Sequence, residues 1–256
     1  MTERELRTIF DGDADLYDRT RPGYPAALYD DLAKWAPATS VLEIGCGTGQ
    51  ATRELARRGY RITALDIGPA MAARARENLA AYPDVEVIIA DFDAWAPPDT
   101  YDLVLSATAF HWLDPETRGD RIAAALNPGG SLAVITTHHV AGGSTDFFHE
   151  VQRCYERWMP GTPPGLRLTH EDDITDDFPD LDRFARVATG RHAHTITYSA
   201  REYLDLINTY SGHRALPPDL HAGLFGDIEA LINDRYDGRV AKRYLNILTV
   251  ARSMYE

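Results

Sequence analysis

The chain has 256 residues, with 26 Lys and Arg against 39 Asp and Glu, giving a formal net charge of -13. That balance argues against a broad nucleic-acid or membrane surface, because phosphate binding needs clustered Lys and Arg. The two cysteines, Cys46 and Cys154, are too few for a disulfide framework or a cysteine-rich metal site. No apolar stretch reaches transmembrane length, and Met1-Thr2-Glu3-Arg4-Glu5 is too charged for a signal peptide, so a reducing cytoplasm is the expected compartment.

Residues 1–25 are amphipathic and close with Arg21-Pro22-Gly23-Tyr24-Pro25, whose prolines end any helix there. A helix from about Ala26 to Trp35 follows. Val41 to Ile44 is a short apolar run that reads as a buried parallel strand. It gives way to glycines at alternate positions, Gly45, Gly47 and Gly49, which let the backbone turn sharply and approach a ligand where a Cβ would clash. The helix after them, Ala51 to Arg58, points its N-terminus at that ligand. Arg61 to Leu65 is a second strand ending at Asp66, and Pro69 opens the next helix, Ala70 to Leu79. Val85 to Ala90 is a third strand ending at Asp91, and Asp102 to Ser106 a fourth. A helix over about Pro115 to Leu126 stops at Asn127-Pro128-Gly129-Gly130, and Ser131 to Thr136 is a fifth strand. Five strands with crossover-length spacers predict a doubly wound α/β sheet with helices on both faces.

After Thr137 the rhythm changes. Residues 138–183 read as an insertion with one helix, about Thr145 to Trp158, followed by loops and an acid-rich run from Glu171 to Asp182. Phe184 to Tyr198 has β character. Two helices follow, about Ala200 to Tyr210 and Asp219 to Asp234, and Tyr244 to Ala251 is a final apolar run. The whole reads as one domain, divided into N-terminal helices (1–36), a ligand-binding core (38–137), the insertion (138–183) and C-terminal strands and helices (184–256).

The acids sharpen the glycine loop, which alone is weak evidence. Glu43, two residues before Gly45, can orient the loop or meet a cationic ligand group. Asp66 lies about twenty residues beyond the glycines, where an acid accepts hydrogen bonds from ribose hydroxyls; it can equally cap the helix that Pro69 opens. Asp91 can accept from an exocyclic amine with Phe92 beside the ring, or stand as a solvated strand-end acid. His111 and Trp112 follow the fourth strand, where His111 suits a general base and both suit a pocket wall. His138-His139 end the fifth strand, where they can line a pocket or sit in a solvated loop, and Tyr203 and Tyr210 suit core or helix-face packing and are also candidates for a pocket roof. No metal is expected, since ligand spacing such as His-Glu-x-x-His is missing.

On these residues the chain resembles the class I S-adenosylmethionine-dependent methyltransferases. The resemblance covers roughly residues 38–136 and rests on Leu42-Glu43-Ile44-Gly45-Cys46-Gly47-Thr48-Gly49, Asp66, Asp91, Tyr101-Asp102-Leu103-Val104 with Ala109-Phe110-His111-Trp112, and Leu126-Asn127-Pro128-Gly129-Gly130. It implies S-adenosyl-L-methionine as cofactor and a Rossmann-like seven-stranded sheet, mostly parallel with the last strand antiparallel, carrying an N-terminal helical lid and a helical insertion after strand five. It also implies cofactor contacts at Glu43, Gly45, Cys46, Gly47, Gly49, Asp66, Ile67, Met71, Asp91, Phe92 and Ala107. Ala14-Asp15-Leu16-Tyr17-Asp18-Arg19-Thr20-Arg21-Pro22-Gly23-Tyr24-Pro25 and Thr197-Tyr198-Ser199-Ala200-Arg201-Glu202-Tyr203-Leu204 resemble the small-molecule branch typified by trans-aconitate methyltransferase. There the N-terminal segment folds over the cofactor, so Tyr17 and Arg21 join the cofactor set and Tyr24, Trp112, His138 and Tyr203 the acceptor set. His111 is the candidate catalytic residue. The expected function is methyl transfer to a small-molecule carboxylate or hydroxyl, by a monomer or homodimer that binds neither nucleic acid nor membrane. Two alternatives stand beside it. One is a non-catalytic S-adenosylmethionine-binding protein. The other is a nicotinamide-dependent dehydrogenase, disfavoured because the dinucleotide fingerprint wants its third glycine where Gln50 stands.

Overall fold

A computed structural model describes residues 13–161, 168–176, 178–179 and 181–254. The first twelve residues of the expected lid lie outside that range. Seven strands form one sheet in the order β3-β2-β1-β4-β5-β7-β6. They are β1 Ser40–Ile44, β2 Arg61–Asp66, β3 Val85–Ile89, β4 Tyr101–Ala107, β5 Leu126–Gly143, β6 Phe184–Ser199 and β7 Arg239–Ser253. The first five pair in parallel, and β7 runs antiparallel between β5 and β6. The strand order reverses on either side of β1, which leaves a crevice at the carboxyl ends of β1 and β4.

Alternation along each strand sends residues to two cores. Val41, Leu103, Leu105, Ala133, Ile135, Leu248 and Val250 face helices α2 (Ala26–Trp35), α3 (Gln50–Arg57) and α4 (Pro69–Leu79). Leu42, Ile44, Val104, Leu132 and Val134 face Ile122 of α5 (Arg118–Ala124) together with Phe110, Leu113 and Phe184. All five residues of β1 are buried, which explains its unbroken apolar reading apart from Glu43. α1 (Ala14–Thr20) is capped by Asp13, whose side chain accepts from the Leu16 N–H at 2.9 Å.

Several boundaries differ from the sequence reading. Residues 138–143 continue β5 instead of opening an insertion, because their partners on β7 extend the ladder to Lys242. Asn127–Gly130 bulge from the β4–β5 ladder: Tyr101 pairs with Leu126 and Leu103 already with Ser131. The single helix expected after residue 144 is two, α6 (Thr145–Glu150) and α7 (Gln152–Trp158). They pack with α8 (Ala200–Ile207) and α10 (Pro218–Arg235) around Phe147, Phe148, Leu206, Leu224 and Ile228, while a short α9 (Ser211–Arg214) lies between. No helix among the described residues is long and apolar enough to cross a membrane.

Candidate functional site

The glycine loop turns where β1 ends. Gly45 has φ +74°, and a Cβ there would stand 2.5 Å from the Ala109 Cβ, so the loop after β4 can approach only a glycine. Gly47 has φ +58°, with the Tyr17 ring over it; a Cβ would lie 3.7 Å from that ring. Across the crevice Thr108 adopts φ 59°, a left-handed conformation rare for a β-branched residue and characteristic of ligand-binding turns.

Two cavities share the wall formed by Tyr17, Arg21, Gly45, Gly47, Ala107 and Thr108. The first, of about 260 Å³, runs along the ends of β2 and β3 past Asp66, Ile67, Met71, Asp91 and Phe92 to His111 and Trp112. Both Asp66 oxygens accept backbone N–H groups, Oδ2 from Gly47 and Oδ1 from Gly68, each at 2.8 Å. This carboxylate therefore clamps the loop to the start of α4 and keeps lone pairs for a ligand hydroxyl. Asp91 Oδ1 accepts from the Asp93 N–H at 3.1 Å, which aims the carboxyl at the strand end. Phe92 is buried as an apolar wall beside it.

The second cavity, of about 210 Å³, begins at the loop with Glu43, Cys46 and Gln50 and ends on β5 and β7 at Thr137, His139, Lys242, Tyr244 and Asn246. Glu43 is 1 % exposed, and its Oε2 has no hydrogen-bond partner among the described residues. Burial pushes its carboxyl up to about 7; the neighbouring Thr52 hydroxyl offsets part of that shift and the Asp66 charge adds to it. A buried carboxylate oxygen without a donor calls for a cationic or hydrogen-bonding ligand group. Arg21 lies between the rings of Tyr17 and Tyr210, its Cζ 5.0 Å and 4.9 Å from their centroids. Its Nε donates to Thr209 Oγ1 at 3.0 Å. Tyr24 Oη and Thr108 Oγ1 are 2.9 Å apart, closing the rim. α1 is fastened across both cavities, by an Asp15–Arg74 ion pair and an Asn78–Asp18 hydrogen bond at one end and by Arg21–Thr209 at the other.

Most of the residues expected around a cofactor come together here. Gly45, Gly47, Asp66, Ile67, Met71, Asp91, Phe92, Ala107, Tyr17 and Arg21 line the first cavity, and Glu43, Cys46 and Tyr24 line the second. Gly49 lines neither; at φ +90° it starts α3, packed against Leu79. The acceptor set divides. His138 points to the opposite face of β5, where its Nε2 lies 3.1 Å from Thr136 Oγ1 in a separate cavity with Arg118 and Asp176. Its neighbour His139 lines the second cavity instead, because adjacent strand residues face opposite ways. Tyr203 is buried in the helical cluster, edge-on to Phe147 at 5.3 Å, and lines no described cavity. Trp112 and His111 lie between the first cavity and the one on the opposite face, their rings 4.7 Å apart.

Sequence reasoning missed Lys242 and Asn246. The signal was present. The stripe Val250, Leu248, Asn246, Tyr244, Lys242 turns from apolar to polar at period two, and so does its partner Ala133, Ile135, Thr137, His139 on β5. Among the described residues no three His, Cys, Asp or Glu side chains are grouped so as to hold a metal.

The comparisons with known proteins agree with this geometry. A methyltransferase-domain family model matches residues 41–130. An uncharacterized methyltransferase of Mycobacterium bovis is 34% identical over 135 residues, 52% of this chain and 54% of that protein. Trans-aconitate 2-methyltransferase of Paracidovorax citrulli is 38% identical over 122 residues, 46% and 45% of the two chains. The chain thus spans about half the length of these curated relatives. Among solved structures, a protein of Anaeromyxobacter dehalogenans ascribed to the type II methyltransferases superposes with TM-score 0.63 at 24% identity, covering 91% of this chain and 97% of that one. The [4+2]-cyclase SpnF superposes with TM-score 0.58 at 16% identity, covering 100% and 98%. Likeness to a cyclase means that the fold by itself leaves the reaction open. Residues 41–130 match a methyltransferase domain, and the fold and glycine-loop site resemble those of class I methyltransferases, which indicates S-adenosylmethionine as the cofactor. Over that stretch the chain is similar to the trans-aconitate methyltransferase branch.

Proposed function

We propose that the protein transfers the methyl group of S-adenosylmethionine to a small-molecule nucleophile, a carboxylate or a hydroxyl, as one domain with α1 closing the site. The observation that carries this reading is the row of acids along one wall: Glu43 buried with an unpartnered oxygen beside the loop, then Asp66 and Asp91 at the next two strand ends. A zwitterionic amino-acid end, a ribose diol and an adenine amine call for those groups in that order.

Bound there, the cofactor would supply an electrophilic sulfonium methyl, with a neutral thioether as the leaving group. Glu43 would meet the ammonium of the methionine portion and Arg21 its carboxylate, with a planar fork that matches the two oxygens. Asp66 would accept from ribose hydroxyls, and Asp91 with Phe92 would hold the adenine. Tyr17, Arg21 and Tyr24 exclude water from the rim. The chain's main contribution is alignment, since methyl transfer needs nucleophile, carbon and sulfur in line. A carboxylate nucleophile needs no base; for a hydroxyl, His111 at the cavity wall takes the proton. Tyr24 and Trp112 complete the acceptor side. Calorimetry with S-adenosylhomocysteine tests the reading: the wild-type protein should bind it, and binding that is missing, or unaffected by Asp66→Ala, would overturn it.

A further inference from the structure

The chain carries a large excess of acids, yet the second cavity holds two cations, Arg21 and Lys242, that form no ion pair with a carboxylate among the described residues. Lys242 is 6 % exposed. Its Nζ donates to Tyr210 Oη at 3.0 Å and lies 5.0 Å from the centroid of the Tyr244 ring. An ammonium is costly to bury without an anion, and a tyrosine hydroxyl with one neighbouring ring compensates only in part. The end of the cavity around Lys242 is otherwise polar and under-satisfied. His139 Nε2 and Asn246 Oδ1 are buried without a hydrogen-bond partner among the described residues, while Asn246 Nδ2 donates to Thr137 Oγ1 at 2.8 Å. Burial, aided by the Lys242 charge, lowers the His139 pKa to about 3, so its ring is neutral.

The charges can be matched to ligands. The methionine end of the cofactor carries one ammonium and one carboxylate, which Glu43 and Arg21 satisfy as proposed above. Lys242 is left over. It lies at the β5–β7 end, while Ala107, Thr108 and Gly45 form the rim shared with the first cavity. We propose that the acceptor carries an oxyanion, a carboxylate or a phosphate monoester, anchored by Lys242 with Tyr210, and presents its nucleophilic atom to the shared rim from the opposite end. Asn246 Oδ1 then accepts from a hydroxyl or amine on the same molecule. Lys242 is a specificity-determining residue in this arrangement, acting on acceptor affinity and not on the cofactor, while Tyr210 touches both Lys242 and the cofactor-side Arg21. The inference rests on the methyltransferase reading, which fixes what Arg21 and Glu43 hold.

The test is turnover of labelled S-adenosylmethionine against three- to eight-carbon carboxylates, their neutral amides, and phosphate monoesters of the same skeletons. Methylation of acids or phosphate esters but not amides is expected; which of the two series is used identifies the oxyanion. With the best compound, Lys242→Met should raise KM by tenfold or more, leave kcat within threefold, and leave the Kd for S-adenosylhomocysteine within twofold, while Lys242→Arg recovers much of the KM. Equal turnover of acids and amides, or an unchanged KM in Lys242→Met, overturns the inference. So does a loss confined to kcat in Tyr210→Phe with a flattened pH profile, since the pair would then be a proton acceptor. Should no compound be methylated, crystals of the S-adenosylhomocysteine complex grown with bromide decide: an anomalous peak beside Lys242 Nζ that vanishes in Lys242→Met supports the anchor, and no peak overturns it. Failure of the wild-type protein to bind S-adenosylhomocysteine would instead sink the methyltransferase reading itself.

Discussion

The two ends of the crevice are built by different means. At the β1–β3 end much of the wall comes from one stretch of chain, residues 43–92, completed by Tyr17, Arg21 and the loop after β4, and backbone does much of the work: Gly45 and Gly47 at positive φ, and amides of Gly47 and Gly68 bound to Asp66. At the β5–β7 end the groups are side chains drawn from distant positions, His139, Tyr210, Lys242 and Asn246. A backbone-built site depends on glycine spacing and tolerates little change. A side-chain-built site can be altered one residue at a time without disturbing the fold. The difference explains why the matched methyltransferase domain, residues 41–130, stops short of the second end. On the proposed reading a shared cofactor fixes the first end, and the acceptor shapes the second.

Substitutions can break this contrast, and the largest effect belongs to the loop. Gly45→Ala forces a side chain into Ala109 at a left-handed φ, and it should abolish S-adenosylhomocysteine binding and cost roughly 1–3 kcal/mol of stability, read by calorimetry and thermal melting. Next comes Asp66→Ala, which frees two loop amides and removes the ribose acceptor; affinity should fall by roughly a hundredfold, the loss of two hydrogen bonds to a charged group. Acceptor KM, by contrast, should respond to Lys242 and not to Tyr203: Tyr203→Phe should leave both KM and cofactor Kd unchanged, because that ring packs in the helical cluster.

Glu43 sharpens the contrast through pH. A carboxyl whose pKa is higher folded than unfolded binds its proton more tightly in the folded state. Its contribution to stability without cofactor should therefore be greatest below about pH 4.5 and decline as pH rises from there through about 7. Glu43→Gln removes that decline, so the melting-temperature difference between the variant and the wild type should be smallest near pH 4 and grow in the variant's favour toward pH 8. Cofactor binding has the opposite sign, since the ammonium pairs with the ionised form. Affinity for S-adenosylhomocysteine should weaken below pH 7 in the wild type, with proton release on binding measurable in buffers of different ionisation enthalpy. The Glu43→Gln protein should show neither.

Much of the β1–β3 end was legible in the sequence because its determinants are local: an apolar run, glycines at alternate positions, and an acid at the end of each of three successive strands. A helix start marked by proline was equally plain, at Pro69. The β5–β7 end was obscured for two physical reasons. Strand period two makes adjacent residues face opposite ways, so choosing His138 over His139 exchanged one cavity for another. The polar half of β7 lacks the apolar character by which strands are recognised, so the strand read from Tyr244 onward actually begins at Arg239 and includes Lys242. Long-range register, set by the pairing of Lys242 with Gly143, brings that lysine to the site, and no local pattern encodes it.

The most direct measurement is calorimetric titration of S-adenosylhomocysteine into three proteins: wild type, Asp66→Ala and Lys242→Met. Binding by the wild type, a loss of roughly a hundredfold in Asp66→Ala, and a Kd within twofold of wild type in Lys242→Met would establish a cofactor end and a separate acceptor end. No binding by the wild type, or equal affinities for wild type and Asp66→Ala, would contradict it.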